Sequence, residues 1–311
     1  MRAGGKANGE TALHNGVLEA GGAVASPDRA DRRGERLRVA VSRARRDPSR
    51  PAMLIVLVFV TVVMLYPFYF MVLNSLRSEQ EYVAGSGFSG GSWVALFRAI
   101  PAGRELLNST VVSVSAIAII LVVSCLAGFG FAKLGFRGGR AILLGVTGCM
   151  MIPSVSIIVP EYVNLAHLGL VNSYLGAVLV YAALGTPFAV FLMTAYFRGV
   201  PDEVVEAALC DGAGYIAALR RVVLPMARPA LVTVAVLQFI QIWDDLLIGL
   251  LFLQEPGNRT ITVGLAVLSS GRVFSVPVLM AGSLFSALPA IVVYLVFQRY
   301  LISGLTMGMG K

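Results

Sequence analysis

Six apolar runs punctuate the chain, at 52–73, within 106–132, within 141–160, at 174–197, at 229–253 and at 278–297; the first holds no charged residue at all. Each is of the length a helix needs to cross a bilayer core, about 20 residues. A membrane β-strand would need only ~9 to 11 residues of alternating polarity, and these runs do not alternate. The pattern predicts an all-α membrane protein with six transmembrane helices, the fifth interrupted by Asp244-Asp245. Ahead of the first run, residues 1–51 are rich in Gly, Ala, Arg and Asp and show no sustained period, so they read as a disordered tail. A cleavable signal would need an apolar core near the start or soon after Arg32-Arg33. The first apolar run begins only at Ala52 and is long enough to span. The expected organisation is a basic tail at 1–51 followed by a six-helix domain at 52–311.

Composition agrees with this picture. Of 311 residues, 57% are hydrophobic and 14% charged, whereas a soluble domain carries about 25% charged residues. The net charge of +8 is concentrated at one end: residues 1–50 hold 11 Lys and Arg against 6 acidic residues. No aromatic residue interleaves the arginines from Arg29 to Arg50, so a nucleic-acid partner is not expected. With the tail placed inside, 20 cationic residues fall on the cytoplasmic side and five outside (Arg77, Arg98, Arg104, Arg259 and Arg272). The positive-inside rule then puts both termini in the cytoplasm.

Several chemistries lack their residues. Cys125, Cys149 and Cys210 stand far apart without a metal-ligand spacing, so no metal and no disulfide framework is expected. The stretch Gly87-Phe88-Ser89-Gly90-Gly91 fits the hydrolase pattern GxSxG but lies in a Gly/Ser-rich loop, and the two histidines, His14 and His167, lie elsewhere. No catalytic residue is expected. A phosphate-cradling GxxxxGK[ST] loop is missing too, since the three lysines are Lys6, Lys133 and Lys311, so ATP chemistry would belong to another chain and no cofactor is expected here.

The connection at 198–228 is far longer than the other internal one. Pro201, followed by Asp202 and Glu203, suits a helix start. Gly212 breaks that helix, and a second short helix is expected over 215–223, ended by Pro225 and Pro229. Val204, Val205, Ala208 and Leu219 make this helix-turn-helix apolar enough to pack against something.

Glu206-Ala207-Ala208, Asp211-Gly212-Ala213 and Leu224-Pro225 stand at the spacing EAA-x2-DGA-x10-LP. In this the chain resembles the permease subunits of ATP-binding-cassette (ABC) importers, whose EAA loop docks on the ATPase subunits. The resemblance extends to Pro67-Phe68, Asn74-Ser75-Leu76, Asn108-Ser109, Ala132-Lys133-Leu134-Gly135-Phe136, Met151-Ile152-Pro153, the segment 168–176, Gln298-Arg299-Tyr300 and Gly304-Leu305-Thr306, and narrows to the MalG-like carbohydrate branch. It implies a MetI/MalG-like permease fold in a bacterial or archaeal cell membrane, working with a second permease subunit, two ABC ATPase subunits, an extracytoplasmic solute-binding protein and the membrane lipid. It assigns ATPase docking to Glu206, Ala207, Ala208, Asp211, Gly212, Ala213, Leu224 and Pro225.

Where relatives often have Trp-Asn-Glu or Trp-Asn-Asp in span five, this chain has Trp243-Asp244-Asp245, and the extra carboxylate leaves the solute class open. The two aspartates lie ~22 Å from the inner end of their helix at 1.5 Å per residue. With Gln241 and Trp243 they are candidates for the translocation path, or else they sit beside Trp243 at the outer interface. The alternatives to a sugar importer are an ABC importer of a polyamine, phosphate ester or peptide, and a self-contained secondary transporter.

Overall fold

The computed structural model describes residues 49–271 and 275–307. Residues 1–48 of the tail expected at 1–51, residues 272–274 and the ending at 308–311 lie outside them. The described residues are helical, with no strand among them. Among the described residues four helices are long and apolar enough to cross a membrane, and counting each of two bent pairs, 139–151 with 154–167 and 215–226 with 228–244, as one span gives up to six.

The first, α1 (Ser49–Ser75), has residues 51–70 exposed without exception. A helix apolar on every side needs lipid or protein all around it. Two short helices follow, α2 (Glu79–Ala84) and α3 (Gly91–Ala99). Ser78 and Glu81 form a capping box at the start of α2, and the Glu81 carboxylate also accepts bonds from the Ser89 amide and hydroxyl. These donors, led by the Ser78 N–H, hold the Glu81 carboxyl down at about 2. The GxSxG stretch is therefore a turn clasped to α2, with Gly87 and Gly90 at positive φ.

The centre of the bundle is the pair α4 (Ala102–Lys133) and α7 (Tyr174–Arg198), packed along one another. Small residues let the two backbones approach. A Cβ on Gly128 would lie 3.0 Å from the Met193 Cβ and 3.1 Å from the Thr194 nitrogen. Ala116, Ile120, Ala189, Met193 and Phe197 are buried in the main apolar core. A second cluster joins Phe239 and Trp243, stacked 5.0 Å apart, to Leu96, Ile261 and Ala281.

Two of the expected spans are not single straight helices. The third divides into α5 (Gly139–Gly148), extended by a 3-10 turn to Met151, and α6 (Ser154–His167), bent by 98°. Pro153 is the cause: it forces the preceding residue out of the helical region, and Ile152 is extended at φ −82, ψ 120. The fifth consists of α11 (Arg228–Asp244) and α12 (Leu247–Phe252), broken where Asp244-Asp245 interrupt the apolar run. A short helix, α13 (Ile261–Ser269), packs on α4, α12 and α14. The last helix, α14 (Val276–Met307), outruns the apolar stretch at 278–297 and packs along α11.

Candidate functional site

The connection between α7 and α11 folds as two helical pieces. α8 (Asp202–Cys210) begins after Pro201 with Asp202 and Glu203 in its first turn. It ends in a Schellman arrangement: the Ala213 amide donates to the Ala208 carbonyl and the Gly212 amide to the Leu209 carbonyl, both at 3.0 Å. Gly212 takes φ 83 there, a left-handed conformation that an L side chain adopts at a cost. The chain continues through α9 (Tyr215–Ala218) and a π turn at Leu219–Val223 into α10 (Leu224–Met226). Pro225 does not stop this run as the sequence suggests. It sits in the first turn of α10, where its missing N–H is tolerated, and the break comes at Ala227, with a 79° bend into α11.

One face of this loop is fixed to the bundle. Val205, Ala218, Leu219 and Val223 are buried in the main core, and Ala208 and Leu224 are half-buried against it. Two polar ties hold its ends. Lys133 Nζ donates to the Val200 carbonyl and to Asp202 Oδ1, both at 2.5 Å, and the Tyr196 hydroxyl donates to the Met226 carbonyl at 3.1 Å. The opposite face is free: Glu206, Ala207, Asp211, Gly212 and Pro225 are exposed, and Ala213 is half-buried. Tyr215 and Ile216 extend this face with apolar surface, 49% and 65% exposed. The motif does not include these two, yet they are the apolar residues of the second helix left over by its inward stripe.

A cavity of about 900 Å³ lies between α6, α7, α11, the start of α12 and the 3-10 turn that follows α5. Its polar lining includes Glu161, Tyr181, Gln238, Gln241 and Asp245, and none of its lining residues is basic. Asp245 Oδ1 accepts bonds from the Tyr181 hydroxyl at 3.0 Å and from the Ile248 amide at 2.8 Å, so the same carboxylate that faces the cavity also caps α12. Glu161 Oε2 is buried without a hydrogen-bond partner. Sequence reading missed Glu161; its signal was a lone carboxylate just beyond the Ile152-Pro153 break.

Of the four path candidates, Gln241 and Asp245 line the cavity. Trp243 points elsewhere: it is 2% exposed, and its Nε1 donates to the Ser286 carbonyl of α14 at 3.0 Å. Asp244 is exposed and does not line the cavity.

At the other end of α4, two segments that carried the resemblance meet. Asn108 Nδ2 donates to the carbonyls of Gly257 and Arg259, its Oδ1 accepts from the Tyr174 hydroxyl at 2.8 Å, and Ser109 Oγ accepts from the Ile261 amide at 2.9 Å. Asn172, at φ 59, accepts from the Gln254 amide and, through its carbonyl, from Asn258. These bonds fix the segment between α12 and α13 against α4 and α7.

Comparison with known proteins gives this arrangement its context. The family described as binding-protein-dependent transport system inner membrane component matches residues 120–306. The diacetylchitobiose uptake system permease protein NgcG of Streptomyces coelicolor is 29% identical over 259 residues, covering 81% of this chain and 86% of its own. The trehalose transport system permease protein SugB of Mycobacterium tuberculosis is 33% identical over 218 residues, 70% of this chain and 80% of that one. In fold, the chain matches a bacterial ABC transporter involved in the import of the acidic polysaccharide alginate, with a TM-score of 0.70 at 21% identity, covering 88% of this chain and 98% of that one. The family match runs from the middle of α4 through the loop to α14, and the chain accordingly belongs to the binding-protein-dependent inner-membrane components, the permeases of ABC importers.

Proposed function

We propose that this permease forms half of the transmembrane path for a sugar, that its loop at 198–228 receives the motion of separate ATPase subunits, and that both its termini lie in the cytoplasm. The division of the loop into two faces carries this reading. An apolar face locked into the bundle by Val205, Leu219 and Val223 makes the loop move with α7 and α11, while the exposed Glu206, Asp211, Gly212, Tyr215 and Ile216 offer a partner charged and apolar surface together. The expected assembly is two permease subunits, two ATPase subunits and an external solute-binding protein.

The sugar cargo is supported by the named relatives and by the cavity. Sugars present hydroxyls that donate to carboxylates, and Glu161 and Asp245 are carboxylate acceptors in the cavity lining. Gln238 and Gln241 add amide donors and acceptors on the α11 side. The lack of a GxxxxGK[ST] loop in the sequence supports hydrolysis on partner chains.

The test is made on the loop. Gly212→Pro would force φ to about −65° where the structure has a left-handed turn, and Glu206→Lys would reverse a charge on the free face. Both variants should insert in normal amount, while solute-stimulated ATP hydrolysis by the assembled importer falls at least ~10-fold, the size of losing one buried or charge-assisted contact. Normal insertion with wild-type uptake in both variants would refute the docking role.

A further inference from the structure

A second pocket, of about 560 Å³, lies apart from the solute cavity and shares no lining residue with it. Its walls are the end of α4 with the following turn, α5, and the last turns of α7. Two of these walls repeat one pattern. On α5, Arg140 stands at one end and Thr147 at the other, with Leu143 and Leu144 between, a span of ~10 Å at 1.5 Å per residue. On α7, Arg198 stands at the same end and Phe191 lies ~10 Å away along the helix.

The third wall is aromatic. The rings of Phe131 and Phe136 are 5.8 Å apart, and Phe136 lies so close over Gly139 that a Cβ there would come 3.1 Å from its Cζ. The pocket thus has a cationic mouth and an apolar floor running toward the membrane interior. No carboxylate lines it, and neither arginine has an ion pair among the described residues.

The geometry points to a binding site for an anionic phospholipid of the cytoplasmic leaflet: the phosphodiester lies between Arg140 and Arg198, and an acyl chain runs over Leu143, Leu144, Phe131 and Phe191. Guanidinium groups recognise phosphate oxygens in bidentate fashion, and basic pockets between transmembrane helices on the cytoplasmic side suit acidic head groups. A small free anion would satisfy the mouth and leave the apolar floor wet. A neutral lipid would cover the floor and leave two arginines without a counter-charge. The leaflet assignment rests on the topology proposed above, but lipid retention is read without reference to transport, so the two stand or fall separately.

The test uses the full importer complex, extracted in mild detergent with phosphatidylglycerol or phosphatidylcholine and examined by native mass spectrometry. The wild-type complex should retain phosphatidylglycerol in preference to phosphatidylcholine. The double variant Arg140→Gln/Arg198→Gln should retain about tenfold less, while Arg137→Gln, an arginine outside the pocket, should behave as wild type. Leu144→Trp keeps both charges and fills the apolar floor, so it should lose the lipid as well. Should the double variant not assemble, Leu144→Trp decides alone. Unchanged retention in the pocket variants, equal retention of phosphatidylcholine by the wild type, or displacement of the lipid by millimolar inorganic phosphate would each overturn the assignment.

Discussion

Glu161 and Asp245 face the same cavity from different helices and are held differently. Asp245 has fixed partners in the Tyr181 hydroxyl and the Ile248 amide, whereas Glu161 Oε2 has none. A carboxylate engaged at the start of α12 supports the fold, so Asp245→Asn should lower both the amount of permease and its uptake. Glu161→Gln removes a charged acceptor with no bond to lose on that oxygen. It should leave the amount in the membrane unchanged and raise the KM for a neutral sugar by about tenfold, the worth of one charge-assisted bond exchanged for a neutral one. With no basic residue lining the cavity, the same variant should relax exclusion of acidic sugars. Uptake assays with a neutral sugar and its uronic acid check both effects, and unchanged KM with unchanged exclusion would remove Glu161 from the path. Asp245 was a candidate in the sequence, but its bond at the start of α12 and the place of Glu161 were not legible there. Trp243-Asp244-Asp245 marks a helix break clearly, but three adjacent residues at the end of a helix point in three directions: Trp243 onto α14, Asp244 outward, Asp245 into the cavity.

Among the elements, those set by local chemistry were legible and those set by tertiary contact were not. The turn at Gly212 is readable because a residue at φ 83 after a helix is a glycine's position, and the six apolar runs are readable because lipid imposes length. The 98° bend at Ile152-Pro153 was signalled by the proline, but many membrane helices carry proline without breaking: Pro67, Pro187 and Pro289 all sit inside continuous helices here. Neighbouring packing decides which proline breaks a helix, and that is invisible in a single sequence.

The tie between α4 and the loop is of the same kind. Lys133 is one of three lysines and lies far from the loop in sequence, yet its side chain is only 4% exposed and reaches both Val200 and Asp202. Asp202 is 76% exposed, so the ion pair itself contributes little. The bond to the Val200 carbonyl is the one that fixes the loop. Lys133→Met should therefore cost about 1–2 kcal/mol and loosen the loop's entry, while Asp202→Asn should be nearly silent. Hydrogen exchange over 199–206 in the assembled importer, read beside solute-stimulated ATP hydrolysis, separates them. Equal behaviour of the two variants would mean that the tie has no part in coupling.

For the whole molecule, two sets of polar ties lie at opposite ends of α4. At one end are Lys133, the loop and its free face; at the other, Asn108 and Ser109 hold the segment between α12 and α13. The cavity of about 900 Å³ lies against helices that are both broken, α5–α6 at Pro153 and α11–α12 at Asp244-Asp245. In the proposed mechanism a displacement of the loop would pass to α7 and α11, the two helices it joins, both of which line the cavity. This account requires that the Lys133 end be cytoplasmic and the Asn108 end external. The proposed topology places 20 cations on one side and five on the other, as the positive-inside rule favours, and the orientation can be read directly by accessibility. A cysteine-depleted importer carrying Tyr215→Cys on the exposed face of the loop should be refractory to an impermeant maleimide applied to intact cells. It should react readily in inside-out vesicles. A second cysteine at Val83, 80% exposed on α2, should show the reverse. Labelling of position 215 from outside, with position 83 protected, would invert the topology and put the docking face on the side where no ATPase subunit meets it.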